Sequence, residues 1–396
     1  MYTDAKITEI IPAIRAILSR PGFSPVIKFI DATRIKKYAG SKEKFEKALD
    51  GIESIYLTGG ESGDVIKSFI EIQSKTGFSF GLIMISGTGL LGVGRSLEEA
   101  TYFINELLKG STVAGHDESD NNGRVQNKIF IVTGGAMGFG RGITEKLVDE
   151  GGYTVIADIN PEAGEKTAAE INAKSGKKRV VFVKCDITDP ESVKNLIKET
   201  VREFGGLDVL ISNAGVLIAG SVEEFDEKTF DFITGVNYKG FFICTKYSIP
   251  VMKLQYQHNP SLFMDIIQIN SKSGLSGSNK NFAYSGSKFG SIGLVESFAL
   301  ELAPYHIKVN AICPGNYFEG PLWSDPEKGL FAQYLKAGKV PGAKNIGEVK
   351  KFYESKVPMG RGCTPVDVVK TIHYLIEQEY ETGQAVAVTG GQIMLH

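Results

Sequence analysis

Histidine and cysteine, from which most zinc centres and many nucleophilic sites are built, are scarce in this 396-residue chain: five of the one and four of the other. The cysteines, Cys185, Cys244, Cys313 and Cys363, stand no closer than 50 positions apart, which suits neither a metal knuckle nor a small disulfide framework. Free thiols in a reducing cytoplasm are expected. His116, His258, His306, His373 and His396 are scattered in the same way, so neither a zinc site nor a serine–histidine hydrolase is expected. Excess charge is missing too. Lys plus Arg total 44 against 46 for Asp plus Glu, and a net charge of −2 gives too little field to hold a nucleic acid or coat an anionic membrane. Long apolar runs are absent as well: the uncharged stretch between Lys75 and Arg95 holds six glycines with Ser79, Ser86 and Thr88, and reads as strands and turns. Asp4, Lys6 and Glu9 interrupt the place where a secretory signal needs its apolar core. The expectation is a cytoplasmic protein with no membrane span.

What is present is a foldable composition, 42% hydrophobic and 23% charged, in a chain long enough for two to three domains at ~150 residues each. The polar, turn-prone run His116 to Gly123 marks a boundary. We therefore expect a small α/β domain over 1–115, a linker over 116–124 and a larger domain over 125–396. In the larger part, seven apolar strands (Ile129–Val132, Thr154–Ala157, Val180–Val183, Val209–Ser212, Ile266–Ile269, Lys308–Ile312 and Ala385–Val388) alternate with amphipathic stretches such as Arg141–Glu150, Ser192–Phe204 and Tyr284–Leu302. Repeated β-α order predicts a doubly wound α/β fold, a parallel sheet with helices on both faces. The front part predicts helices over Ile7–Leu18, Asp64–Lys75 and Leu97–Lys109, a strand over Ile52–Leu57 and further strands within Gly81–Val93.

The first strand of the larger part runs straight into Thr133-Gly134-Gly135-Ala136-Met137-Gly138-Phe139-Gly140 and then a helix. Glycines there let the chain turn sharply and bring backbone N–H groups against a diphosphate at the positive end of the helix. On its own this spacing also occurs in ordinary turns. Asp158, ending the next strand 20 residues after Gly138, supplies a carboxylate for the adenosine ribose hydroxyls. A carboxylate there repels the additional phosphate of NADP, and no base among Gly135, Ala136, Met137, Ile159 and Asn160 compensates, so NAD is the expected cofactor. Asp186 and Ile187 after the third strand, and Asn213-Ala214-Gly215 after the fourth, are placed to flank the cofactor and serve equally as strand-ending turns.

Tyr284 and Lys288 stand four apart at the start of a helical stretch, so both fall on one face. A phenol with pKa ~10 is a poor base at neutral pH, and a neighbouring ammonium lowers it. Ser271 lies 13 residues before Tyr284 at the end of a buried-looking strand, and Asn237 lies in the helix-like stretch Phe232–Cys244. Together, Thr133-Gly134…Gly138-x-Gly140, Asn213-Ala214-Gly215, Asn237, Ser271 and Tyr284…Lys288 resemble the short-chain dehydrogenases/reductases over about residues 125 to 396. The resemblance implies that Tyr284 is the general acid/base, Ser271 holds the substrate oxygen, Lys288 contacts the nicotinamide ribose and lowers the phenol pKa, and Asn237 supports a proton-relay water. It also implies a homotetramer.

Within that family, Ile267–Gly274, Lys356–Cys363, Thr382-Gly383-Gln384 and Val388–Gln392 are most similar to the sorbitol-6-phosphate 2-dehydrogenase branch, which implies a phosphorylated sugar or polyol as substrate. At Pro314-Gly315-Asn316 the chain departs from members that carry threonine after Pro-Gly, a residue that touches the cofactor. Asn316 to Arg361 holds eight bases against five acids, and Lys272, beside Ser271, is the candidate contact for a substrate phosphate. Two other readings stay open: a reductase of another carbonyl, such as a 3-oxoacyl thioester or an unphosphorylated sugar, and a non-catalytic NADH-sensing protein. Residues 80 to 110 weakly resemble the closing part of a class II aldolase-like domain. With one histidine before Gly123, the zinc chemistry of that class is not expected, and a non-catalytic remnant is.

Overall fold

A computed structural model describes residues 4–38, 40–49, 51–109, 123–336 and 338–394. The linker expected at 116–124 lies outside the described residues apart from its last two positions. The front segment consists of α1 (Asp4–Leu18), β1 (Val26–Asp31), α2 (Lys42–Lys47), β2 (Ser54–Leu57), α3 (Ser62–Thr76), β3 (Gly81–Ile85), β4 (Gly89–Gly94) and α4 (Leu97–Lys109). The larger part opens with β5 (Ile129–Thr133), α5 (Gly138–Asp149), β6 (Tyr153–Asp158), α6 (Pro161–Ser175), β7 (Val180–Lys184), α7 (Pro190–Phe204) and β8 (Val209–Ser212). It continues with α8 (Glu227–Thr234), α9 (Gly240–His258), β9 (Met264–Ile269), α10 (Phe282–Leu302) and β10 (Ile307–Pro314). It ends with α11 (Pro321–Ser324), α12 (Leu330–Lys336), α13 (Ile346–Ser355), α14 (Pro365–Glu377) and β11 (Ala385–Val388).

Strands β5 to β11 form a seven-stranded sheet in the order β11-β10-β9-β8-β5-β6-β7, every pairing parallel. Its central strands are buried on both faces, while the edge strands β7 and β11 are only partly so, and successive side chains go to opposite sides. In β5, Ile129 and Ile131 join the apolar cluster that holds Leu196 and Val201 of α7 and Phe241 of α9, whereas Phe130 and Val132 join Ile143 of α5 and Val368 of α14. Seven expected strands are found where the apolar runs placed them, within two residues at each end. The four cysteines are buried and unbonded. No helix among the described residues is long and apolar enough to cross a membrane.

The front segment forms its own four-stranded mixed sheet, β1-β4-β3-β2. Strand β1 was not foreseen, because Val-Ile-Lys-Phe-Ile-Asp shows no alternation; both of its faces are covered. The segment is fastened to the large sheet. Helix α1 packs on α7 and α9, and β1 packs on α7, so Ile10, Ile14 and Ile27 belong to the same apolar cluster as Val201 and Met252. Buried polar ties add direction to this contact. The Tyr153 hydroxyl accepts from the Leu97 backbone N–H at 2.9 Å, and the Asn127 side-chain amide donates to the carbonyl oxygens of Ser24 and Arg95 at 3.2 and 2.7 Å. Arg15, at 1% exposure, makes a bidentate pair with Asp208, each N–O distance being 2.8 Å.

Candidate active site

The carboxyl ends of the parallel strands open into one cavity of about 1160 Å³, the position where doubly wound sheets hold ligands. Gly134, Gly138, Phe139, Asp158, Asp186 and Ile187 line one end of it; Asn213, Ala214, Gly215, Ser271, Tyr284 and Lys288 line its middle with Pro314 and Gly315. Among the residues singled out from the sequence, Gly140 and Asn237 are not on its wall.

Both omissions have a mechanical reason. A Cβ at Gly140 would meet the Gly134 carbonyl oxygen at 2.1 Å, so glycine there permits the turn to close on itself. Gly134 adopts φ +62°, the left-handed conformation that favours glycine. Helix α5 begins at Gly138 with no side-chain cap on its first N–H groups, which leaves them to an anion. Asn213 holds this turn from behind: its amide donates to the carbonyls of Thr133 and Gly134 at 3.0 and 3.1 Å, while Thr133 Oγ1 accepts from the N–H groups of Asn213 and Ala214 at 3.0 Å. The Asp158 carboxylate is fixed at the end of β6 by the N–H groups of Ala136 and Asn160 at 3.2 and 3.1 Å. Asp186 is committed to its own turn, accepting from Thr188 N and Oγ1 at 2.8 and 2.7 Å. An uncapped helix end, a cradle with no side chains and a fixed carboxylate one strand away fit a dinucleotide.

Asn237 sits in a π-helical turn, Gly235–Lys239, between α8 and α9. Such turns are common at functional positions. Its Oδ1 accepts from Val216 N at 2.8 Å and its Nδ2 donates to Val216 O and Ser287 Oγ at 2.9 and 3.2 Å. This side chain therefore braces the loop after β8 against α10.

Tyr284 and Lys288 occupy one face of α10, with the Lys288 ammonium 5.7 Å from the Tyr284 ring centroid. Ser271, at the end of β9, stands beside the Tyr284 phenol, near enough for its hydroxyl to pull the phenol pKa down. Lys288 is 4% exposed and donates to the Ile269 carbonyl at 2.9 Å, so β9 and α10 together set its position. Here the electrostatics differ from the expectation. Burial pushes the Tyr284 phenol up, against the pull of the Ser271 hydroxyl, and pushes the Lys288 ammonium down to about 8. Spacing alone revealed the pair but not its desolvation, which dominates both groups. Cys313 lies beside both; burial holds its thiol up at about 11, and it is a neutral neighbour at physiological pH.

A stability prediction follows from the lysine. Its folded pKa is below the free value of 10.5, so the unfolded chain binds the extra proton between about pH 8 and 10.5, and stability from this group rises across that window. Lys288→Met removes the penalty at pH 7. The ligand-free variant is expected to gain about 3 kcal/mol at most in urea unfolding, a gain that shrinks toward pH 10.5, while losing turnover.

Sequence reasoning missed the outer wall. Tyr317 stacks near Phe139 with ring centroids 4.7 Å apart, and Pro321 lies over Gly138, so the segment after β10 closes on the glycine turn. Behind it, Phe318, Trp323, Phe331, Tyr334 and Val349 form a separate apolar cluster that shapes 316–336 and 338–357 into a helical cover. The aromatic content of that segment was the available signal. Lys272 reaches the cavity wall, as does Lys339 from this cover.

Comparison with known proteins agrees with this geometry. The sequence profile of the short chain dehydrogenases matches residues 128–322. Sorbitol-6-phosphate 2-dehydrogenase of Escherichia coli is 35% identical over 272 residues, covering 68% of this chain and 99% of the relative. Among solved structures, sorbitol-6-phosphate 2-dehydrogenase from Erwinia amylovora is similar with a TM-score of 0.61 and 34% identity, covering 67% of this chain and all of that one. The 3-ketoacyl-(acyl-carrier-protein) reductase from Brucella melitensis, complexed with NADH, has a TM-score of 0.57 and 25% identity, covering 68% and 99%. The match spans nearly the whole length of these relatives, and the chain belongs to the short-chain dehydrogenase/reductase family, whose oxidoreductases use nicotinamide cofactors.

Proposed function

We propose that the protein is an NAD-dependent oxidoreductase that interconverts a phosphorylated polyol and a ketose phosphate, with sorbitol 6-phosphate and fructose 6-phosphate as the first pair to test. The observation that carries the reading is the juxtaposition of Ser271, Tyr284 and Lys288 in the middle of a cavity whose adenosine end presents Asp158. The names of the Escherichia coli and Erwinia amylovora relatives support the substrate.

The bound dinucleotide supplies or accepts the hydride. The chain's own residues handle the proton and the orientation. Ser271 donates to the substrate oxygen and Tyr284 passes a proton to it in reduction, or takes one from it in oxidation. Lys288, held by the Ile269 carbonyl, presents positive charge to the same oxygen and donates to the nicotinamide ribose. Because burial raises the Tyr284 phenol, polyol oxidation rises with pH into the alkaline range, whereas ketone reduction, which needs the phenol protonated, holds through neutrality.

Side-by-side rates at the NADH absorbance with fructose 6-phosphate, fructose and an acetoacetyl thioester test the substrate. A preference for the thioester would favour the second reading, an acyl-chain reductase like the Brucella melitensis relative. On the cofactor, the Asp158 carboxylate, held at the end of β6, would on this reading repel the additional phosphate of NADP, and neither arginine nor lysine is among the described neighbours Gly134, Met137, Ala157 and Ile159 on the wall. Asp158→Ala is expected to lower the NAD-to-NADP ratio of kcat/KM roughly tenfold or more. An unchanged ratio would remove Asp158 from cofactor choice. The front segment, on this reading, is a brace for the large sheet and not a second catalytic unit.

A further inference from the structure

The charges on the cavity wall are sorted. Its only acids among the described residues, Asp158 and Asp186, end β6 and β7, toward one edge of the sheet. Its bases, Lys272, Lys280, Lys288 and Lys339, come from segments around β9 and β10 and from the cover, on the other side of the strand order. Lys288 is used by the catalytic arrangement. Lys272 follows Ser271 directly, ~3.8 Å away between Cα atoms, and so belongs to the end of the substrate that reacts. Lys280 and Lys339 remain, and neither takes part in an ion pair with a carboxylate among the described residues.

Two further features set this pair apart. Lys280 adopts φ +60°, a left-handed conformation that strains an ordinary side chain and that glycine or asparagine would take more readily. The chain keeps lysine there, at the turn before α10 that carries Tyr284. Lys339 comes from the cover, after α12, and its ammonium sits 3.9 Å from the Tyr334 ring centroid, so an aromatic face fixes its direction. Both side chains line the same cavity, and the Lys339 ammonium is held down first by burial and then by the Lys280 charge. Two like charges from separate segments on one cavity wall, neither paired with a carboxylate among the described residues, favour an anion in that cavity.

We propose that Lys280 and Lys339 clamp the phosphate of the substrate, one from the turn before α10 and the other from the cover. This rests on the sugar-phosphate reading above and names the residues that carry it. Such a clamp holds the phosphate at the far end of the molecule from the carbonyl that Ser271 and Tyr284 engage, and orients the carbon chain between two fixed points.

The test uses Lys280→Asn, which suits the left-handed backbone, and Lys339→Met, which keeps the stem on Tyr334. Binding of NADH, followed by its fluorescence, reports that each variant is folded. The expected result is a roughly 10- to 100-fold fall in the kcat/KM ratio of fructose 6-phosphate to fructose for each variant, carried by KM, together with weaker competitive inhibition by inorganic phosphate. A wild-type enzyme that does not distinguish the two sugars overturns both the function and the clamp. A wild-type enzyme that distinguishes them, with both variants doing so equally well, overturns the clamp alone, as does a loss of discrimination confined to Lys272→Met.

Discussion

Tyr284→Phe is expected to lower kcat by roughly 10²- to 10⁴-fold, the range for removing a general acid/base, while NADH binding measured by fluorescence stays within about twofold. The ring remains, so α10 keeps its packing; only the oxygen is lost. Nothing else near that oxygen is suited to replace it. Ser271 is a hydroxyl that already accepts from Ser273 N at 3.1 Å, Lys288 is tied to the Ile269 carbonyl, and the buried Cys313 thiol is held up at about 11. The dinucleotide, by contrast, is held chiefly by the uncapped start of α5, the glycine turn and Asp158. A variant with substantial turnover would take the phenol out of the mechanism. A variant that no longer binds NADH would show that Tyr284 is instead a structural support of the cavity.

Arg15→Met is expected to cost about 3–5 kcal/mol in urea unfolding, because it strands a carboxylate inside the protein. Asp208 is 6% exposed, and it both receives Arg15 and accepts from Ile129 N at 2.8 Å at the start of β5. Arg15 is satisfied in turn by the carbonyls of Pro25 and Asn127 at 3.0 and 3.2 Å. One guanidinium thus joins α1, the approach to β1, the approach to β5 and the approach to β8. Burial pushes the Asp208 carboxyl up, but Arg15 outweighs it and holds the group below its ordinary range. The sign follows: this stabilisation is complete above the unfolded carboxylate value of ~3.9 and is lost as pH falls through the lower folded value. Because the apolar cluster is shared, the loss is expected in a single transition that includes the large sheet. A loss under about 1 kcal/mol would mean that water already reaches the pair.

The strands of the large sheet were legible because each is a short apolar run closed by turn residues, and the site was legible where chemistry forces residue type at fixed spacing: Gly134, Gly138 and Gly140, Asp158, and Tyr284 with Lys288. Partners far apart in the chain were not. Arg15 and Asp208 are separated by 193 positions, and each alone looks like a surface charge. The same holds for Lys280 and Lys339, which line one cavity although 59 positions separate them in the chain. Asn237 was found by type but its setting was not, since a π-helical turn has no distinctive composition. The state of the Tyr284 phenol was misjudged for a physical reason: charge proximity can be read from spacing, whereas burial depends on everything packed around it.

The buried thiols turn the molecule into its own reporter of opening. A thiolate is the form that reacts with alkylating reagents, and burial holds all four thiols well above the usual cysteine range. They also sit in different neighbourhoods: Cys185 and Cys244 in the cluster shared with the front segment, Cys363 in the cluster under α5 and α14, and Cys313 beside the catalytic pair. Pulse labelling followed by mass mapping would therefore time the exposure of each neighbourhood separately, in the unaltered sequence and without any attached dye.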